Sequence, residues 1–347
     1  MKHSLILFLL LFFLNISVKA DEFEQLMGKS TPHWRYVEQA QDLQTLEFVK
    51  TLYEKNKEVQ FTDQGVYKIP KVVHFIWLGP KPFPPYSVEN IRTWMAHHPD
   101  WTFKFWTDRD REAPCSGMQV IDVSTFHFLK LGSCYASSQN FGEKSDLLRY
   151  EILFQEGGVY ADHDANSLQR FDGLHRGYDF YCCLEAPHEP FVDLNITCGN
   201  GVLGSRPGHP CVAKVIDLIA ENWQPMAEKY RGRDPYSQTE IVMQRTYIAL
   251  TRALRESIDL PGNTDIVFPA SYFFSKGGMP SLYSKHFYAT AWDDSKIQPS
   301  VAKMVQEKLL HKVDKKSVRL QWVLVAFLSL NLMGLGFCIK RVKVRGF

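Results

Sequence analysis

Several absences narrow what this sequence can encode. Charge of neither sign dominates: 40 Lys and Arg stand against 38 Asp and Glu, a formal net charge of +2, so there is no acidic or basic tract to act as an interaction tail. No basic stripe with interleaved aromatics occurs in the middle of the chain, which argues against nucleic acid as a partner. Internal repeats and low-complexity segments are missing, which excludes solenoids, arrays and long linkers. Cysteine is sparse, at 7 residues, and no C-x-x-C pair is present to suggest zinc. Six of them, Cys115, Cys134, Cys182, Cys183, Cys198 and Cys211, have a connectivity that spacing leaves open, and Cys338 sits apart in an apolar run. What is present is ordinary: 45% hydrophobic and 22% charged residues describe a folded protein. The 14% of aromatics suits a large core first and a ring-stacking site second.

Both ends are apolar, in different ways. A basic start precedes the uncharged run Ser4–Val18, and small residues around Ala20 are followed by Asp21 and Glu22. This pattern predicts a signal peptide over residues 1–20, cleaved after Ala20, with an uncleaved N-terminal anchor as the alternative. Leu320–Ile339 carries no charge, and about 20 such residues are enough to span a bilayer as a helix. Lys340, Arg341, Lys343 and Arg345 form a short basic tail (340–347), while Lys308, Lys312, Lys315, Lys316 and Arg319 crowd the other flank in a basic stem, residues 296–319. Charge alone does not orient the span; the signal peptide does, predicting a single-pass membrane protein with its body in the lumen of the endoplasmic reticulum or Golgi. Asn195-Ile196-Thr197 is then a candidate glycosylation triplet.

Between the ends, residues 21–66 read as a helical collar, with Leu43, Leu46, Val49, Leu52 and Tyr53 at helical spacing. Residues 67–295 read as one α/β domain. Val72–Leu78 is a buried strand stopped by Gly79-Pro80, Ser87–His97 a helix and Thr102–Trp106 a second strand, the βαβ order of a parallel sheet. Glu143–Gln155 is a helix, and a strand starts at Val159. Another strand, Asp179–Leu184, leads into the Gly-rich stretch Cys198–Gly208. Helices follow over Val212–Trp223 and Thr239–Glu256.

The chemistry concentrates in Ser145-Asp146-Leu147-Leu148-Arg149 and Gly157-Gly158-Val159-Tyr160-Ala161-Asp162-His163-Asp164. Asp146 and Arg149, three apart on a helix, share a face and can reach one ligand. The Gly pair allows a tight reversal into a strand. At its end Asp162 and Asp164 alternate with His163, so both carboxylates point the same way if the strand continues. Two carboxylates on one face call for a cation, and a hard divalent ion bridging carboxylate and diphosphate oxygens is the usual solution. Clustered carboxylates suit that ion better than they suit a glycosidase, whose pair must flank the scissile bond.

This composite resembles the D-x-D sugar-binding region of glycosyltransferases related to the initiating α-mannosyltransferases, the α1,4-glycosyltransferases and the clostridial glucosylating toxins. His74-Phe75-Ile76-Trp77-Leu78-Gly79 resembles that group's first donor strand, and the likeness runs from about Ile69 to Trp292. It implies a GT-A fold, manganese (or magnesium) as cofactor, retention of configuration and transfer of a hexose from a nucleotide sugar to a lipid, glycan or protein hydroxyl. The donor strand is closest to that of the toxins, which puts a UDP-sugar ahead of GDP-mannose. On that likeness Asp146, Arg149 and Asp162 are the catalytic set and Asp162 and Asp164 hold the metal. His74, Trp77, Tyr160, Asn200, Thr290 and Trp292 join the donor-binding set, with Trp77 stacking on the base. Thr290 replaces the family's Ser, and Phe287 stands where the toxins place an acidic ligand. Two rival readings share the fold: a non-catalytic sugar-binding subunit, and a toxin-like effector that glycosylates a host protein.

Overall fold

A computed structural model describes residues 22–59, 65–188, 194–231 and 240–289, all within the first of two units into which the chain divides, Met1–Asp293. The apolar runs Ser4–Val18 and Leu320–Ile339, the basic stem and tail, and Thr290 and Trp292 lie outside the described residues. No described helix is long and apolar enough to cross a membrane.

The strands are β1 (Val72–Trp77), β2 (Thr102–Thr107), β3 (Gln119–Asp122), β4 (Gly158–Ala161), β5 (Ala165–Ser167), β6 (Phe180–Leu184), β7 (Cys198–Ser205), β8 (Asp265–Phe268) and β9 (Ser284–His286). The helices are α1 (Glu22–Leu26), α2 (Ala40–Asn56), α3 (Pro85–His97), α4 (Gly132–Ser137), α5 (Phe141–Glu156), α6 (Asp172–Gly177), α7 (Pro210–Lys229) and α8 (Ile248–Ser257). Seven strands form one sheet in the order β3-β2-β1-β4-β7-β6-β8, and β5 and β9 make a separate two-stranded sheet.

The βαβ expectation holds: β1 and β2 are parallel with Phe75 opposite Phe105, and α3 makes the crossover. β1 is buried along its length after Val72, as a β-branched and aromatic run covered on both faces should be. β4 is the seam of the sheet. It runs parallel to β1 on one side and antiparallel to β7 on the other. The strand order reverses between β1 and β4, the strand that leads into the D-x-D segment, and crevices at such switch points are where open α/β sheets bind ligands.

Three expectations need adjustment. The collar is not one helix. Gly28 at φ 86 ends α1, and a 3₁₀ turn over Pro32–Tyr36, capped by Thr31, precedes α2. α2 then closes the β8 end of the sheet, with Asn56 donating to the Asp265 carbonyl at 2.8 Å and Tyr53 edge-on to Phe268 at 6.5 Å. The Gly-rich stretch, to which the sequence assigns no element, holds a fully buried strand, β7. Its small residues leave room for neighbouring rings, since Phe274 and Tyr181 fill the space that Cβ atoms at 199 and 204 would need. The last predicted helix passes through a π-turn over Met243–Tyr247 before α8 begins, and such turns are frequent at functional sites.

Candidate active site

The site grows from the C-terminal end of β4. α5 is started by the Asn140 side chain, which accepts from the Glu143 N–H at 2.9 Å, a polar cap of the usual kind. Leu147, Leu148 and Ile152 are fully buried against the sheet, each worth about 1.5–3 kcal/mol of burial, and this fixes the rotation of the helix. The opposite stripe presents Asp146 and Arg149. Gly157 and Gly158, at φ 67 and 96, then reverse the chain into β4.

Beyond Ala161 the strand stops. Asp162–Asp164 form a turn closed by the Ala165 N–H on the Asp162 carbonyl at 3.0 Å. The carboxylates therefore meet through a turn and not through the alternation of a continuing strand. Asp162 Oδ1 accepts from the Tyr160 hydroxyl at 2.5 Å and lies 3.4 Å from the Arg149 guanidinium. Its other oxygen lies 3.2 Å from His286 Nε2, which is also 3.4 Å from Asp164 Oδ1. Asp164 is fixed in addition by the Ala289 N–H on Oδ2 at 2.6 Å. One ligand atom each from Asp162, Asp164 and His286 fall within 4.8 Å of one another. This donor set fits a divalent ion, and two carboxylates with one imidazole suit manganese better than magnesium, which prefers oxygen throughout.

Arg149 organises the rest. It is buried, donates to the Asn200 carbonyl at 2.6 Å, pairs with Asp146 at 2.8 Å, and lies 4.1 Å over the Tyr160 ring. Asn200 Nδ2 donates to Asp146 Oδ1 at 3.1 Å, and Thr246 from the π-turn donates to Asp146 Oδ2. Electrostatics follow this wiring. Burial would raise the Asp162 pKa, but Arg149 and His286 hold it well below the ordinary carboxylate range. Asp146 is pushed up by burial, with Arg149 opposing. Burial disfavours charged His286, yet Asp162 and Asp164 hold its pKa above the ordinary value. Arg149 stays charged for the same reason: Tyr160, Asp146 and Asp162 outweigh its burial.

Of the residues singled out from sequence, the structure brings Asp146, Arg149, Tyr160, Asp162, Asp164 and Asn200 into one web. His74 does not join them, and its assignment to the donor is corrected. Its ring is fully buried, with Nε2 on the Gly157 carbonyl at 2.9 Å and Nδ1 accepting from Trp106 at 3.2 Å. It stitches β1 to its neighbours, and burial lowers its pKa to about 4. Trp77 lies beside the turn, against His163.

Sequence reasoning missed His286 and Thr246, which lie 124 and 100 residues from their carboxylate partners. At the position read as the lost acidic ligand, Phe287 is half-exposed and offers only its backbone N–H, to the Asp164 carbonyl at 2.9 Å. The side chain that reaches the two carboxylates is that of its neighbour, His286. The triplet at Asn195 also reads differently: Asn195 is 4% exposed, and its amide donates to the Tyr36 carbonyl, so the folded domain does not offer it for glycosylation. The six described cysteines are free thiols, five of them buried.

Residues 84–181 match the family described as glycosyltransferase sugar-binding region containing DXD motif. The chain is 26% identical over 172 residues to the subversion of eukaryotic traffic protein A of Legionella pneumophila, covering 45% of this chain and 26% of that protein. It is 29% identical over 160 residues to a mannosyl phosphorylinositol ceramide synthase of Saccharomyces cerevisiae, covering 45% and 37%. It is 22% identical over 261 residues to the initiation-specific alpha-1,6-mannosyltransferase of Schizosaccharomyces pombe, covering 65% and 64%. The chain thus spans less than two thirds of the length of each of these relatives. Among solved structures the PaToxG glycosyltransferase superposes with a TM-score of 0.44 at 18% identity, over 64% of this chain and 79% of that one. The matched group is the one that the sequence resembles, and it includes a protein named as a mannosyltransferase.

Proposed function

We propose that the domain is a metal-dependent, retaining glycosyltransferase of GT-A type that moves a hexose from a nucleotide sugar to a hydroxyl of a lipid, glycan or protein. The observation that carries this reading is the convergence of Asp162, Asp164 and His286 within 4.8 Å, next to the Asp146–Arg149 pair at 2.8 Å. In the reaction the acceptor oxygen bonds to the anomeric carbon while the bond from that carbon to the phosphate oxygen breaks, its electron pair leaving with the nucleoside diphosphate, whose freed oxygen takes up the acceptor's hydroxyl proton.

Asp162, Asp164 and His286 would hold the cation, which supplies positive charge against the departing diphosphate. Arg149 keeps Asp162 ionised and braces it from behind. Asp146 and Asn200, locked to each other, present fixed polar groups to the sugar, and fixed dipoles of this kind need no reorganisation during reaction. Relatives named as mannosyltransferases put GDP-mannose beside UDP-hexoses as a donor. The luminal, single-pass placement belongs to the same proposal and is supported by the runs Ser4–Val18 and Leu320–Ile339; protease protection of the body in sealed microsomes tests it. The activity is tested by incubating purified protein with manganese and a panel of UDP- and GDP-sugars. Release of nucleoside diphosphate from at least one donor, abolished by chelator and restored by manganese, is the expected result. No release from any donor would refute the catalytic reading.

A further inference from the structure

Resting on that reading is the question of where the nucleobase lies. The family likeness assigns it to Trp77, but in this chain Trp77 is covered. Only 8% of it is exposed, and its indole N–H donates to the Lys81 carbonyl at 2.9 Å. Phe83 stands perpendicular to the indole at 5.5 Å and His163 at 4.8 Å. With its N–H used, two rings set edge-on to it and 8% of it exposed, the indole leaves little face for a planar heterocycle.

The next ring outward is different. Tyr86, in the first turn of α3, is 52% exposed. Its ring lies 6.3 Å from that of His163. His163 is the middle residue of the D-x-D turn and is held from several sides. Its Nδ1 is 2.7 Å from the Ser87 hydroxyl, and its carbonyl accepts from the Asn90 amide at 3.1 Å. Trp77 and Phe83 wall in the ring, and Nε2 has no hydrogen-bond partner among the described residues. One residue away on each side along the turn are the two carboxylates that face the diphosphate in the proposed function. An exposed aromatic face thus adjoins an uncommitted ring nitrogen, one step from the place where the nucleotide's phosphates would be held.

We propose that Tyr86, together with His163, forms the surface on which the nucleobase of the donor stacks, and that Trp77 serves to hold His163 in place. A stacked base is sequence-tolerant contact to a π-face, and an exposed phenol ring gives that at little conformational cost. The His163 Nε2 beside it offers one hydrogen bond to the base or ribose.

The test is calorimetric titration of UDP and of GDP, each with manganese, into the wild-type protein and into Tyr86→Ala, Tyr86→Phe and Trp77→Phe. The exposure of Tyr86 makes its replacement safe for folding, and circular dichroism checks this. Tyr86→Ala is expected to weaken binding of the preferred nucleotide about tenfold or more. Tyr86→Phe, which keeps the ring, and Trp77→Phe, which keeps an aromatic wall on His163, should each stay within about threefold of wild type. Unchanged binding by Tyr86→Ala, or a loss confined to Trp77→Phe, overturns the proposal while leaving the transferase reading intact. A Tyr86→Ala variant that binds nucleotide normally but needs more acceptor would assign the ring to the acceptor and likewise overturn it. Failure of the wild type to bind either nucleotide would instead strike at the proposed function itself.

Discussion

Gly201→Ala offers a sharp test of the site because it adds a single methyl group where the web is tightest. A Cβ built at Gly201 lies 2.6 Å from Asp162 Oδ2 and 3.0 Å from His286 Nε2. The carboxylate cannot yield freely, since its other oxygen is held by Tyr160 at 2.5 Å and its own backbone N–H donates to the Gly201 carbonyl at 2.7 Å. Ordinary van der Waals contact begins at 3.4 Å, so Asp162 and His286 must retreat by about 0.8 Å and about 0.4 Å. A misplacement of about 1 Å in a catalytic constellation can lower turnover by ~100-fold. The same movement pulls apart two of the three candidate ligands. The backbone itself should tolerate alanine, because Gly201 is an interior strand residue without positive φ, and replacing Gly by Ala there reduces unfolded-state entropy. The variant should therefore keep its melting temperature within a few degrees while manganese affinity, read by calorimetry, and donor hydrolysis both collapse. Wild-type manganese affinity and turnover in a folded Gly201→Ala protein would refute the assignment of Asp162 and His286 to one cation.

Asp164→Asn is expected to abolish manganese binding and transfer while circular dichroism stays native; activity that survives excess chelator would sink the cation reading. Thr246→Val removes the hydroxyl that donates to Asp146 and leaves a buried carboxylate oxygen short of a partner, a loss of about 1–3 kcal/mol, so kcat/KM should fall about tenfold with Thr246→Ser restoring most of it. Stability should fall in mild acid. The fully buried His74 has its pKa lowered from 6.5 to about 4, so the unfolded chain takes up this proton first; the stability is intact above pH 6.5 and declines as pH falls toward 4, by about 3 kcal/mol for this group. Denaturant midpoints measured across that window check the sign, and a flat profile would contradict it.

The parts legible in the sequence were those encoded by short spacing. The i, i+3 pair Asp146 and Arg149, the glycine reversal and the D-x-D turn lie within 19 residues of one another, so local geometry alone placed them together. β1 and β2 announced themselves by β-branched and aromatic runs. β7 did not, because its glycines signal turns by composition, and only the packed Phe274 and Tyr181 rings explain why a strand needs them. His74 misled for a related reason: a histidine on a donor strand can face the ligand or the core, and pairing with Trp106 and Gly157 decides for the core. His286 and Thr246 reach the site through long-range packing, of which spacing carries no trace.

The two-stranded pairing of β5 with β9 gives the site a dependence on time. Everything else in the cation cluster is present once Asp164 has been made, but His286 comes on β9, at the end of the described chain, and is set against the turn by Ala165 opposite His286. A ribosome-bound or truncated chain that stops short of β9 has the seven strands of the main sheet and still lacks His286, the third member of the cluster. If Asp162, Asp164 and His286 hold one cation, as proposed, the cluster is complete only after β9 has paired with β5.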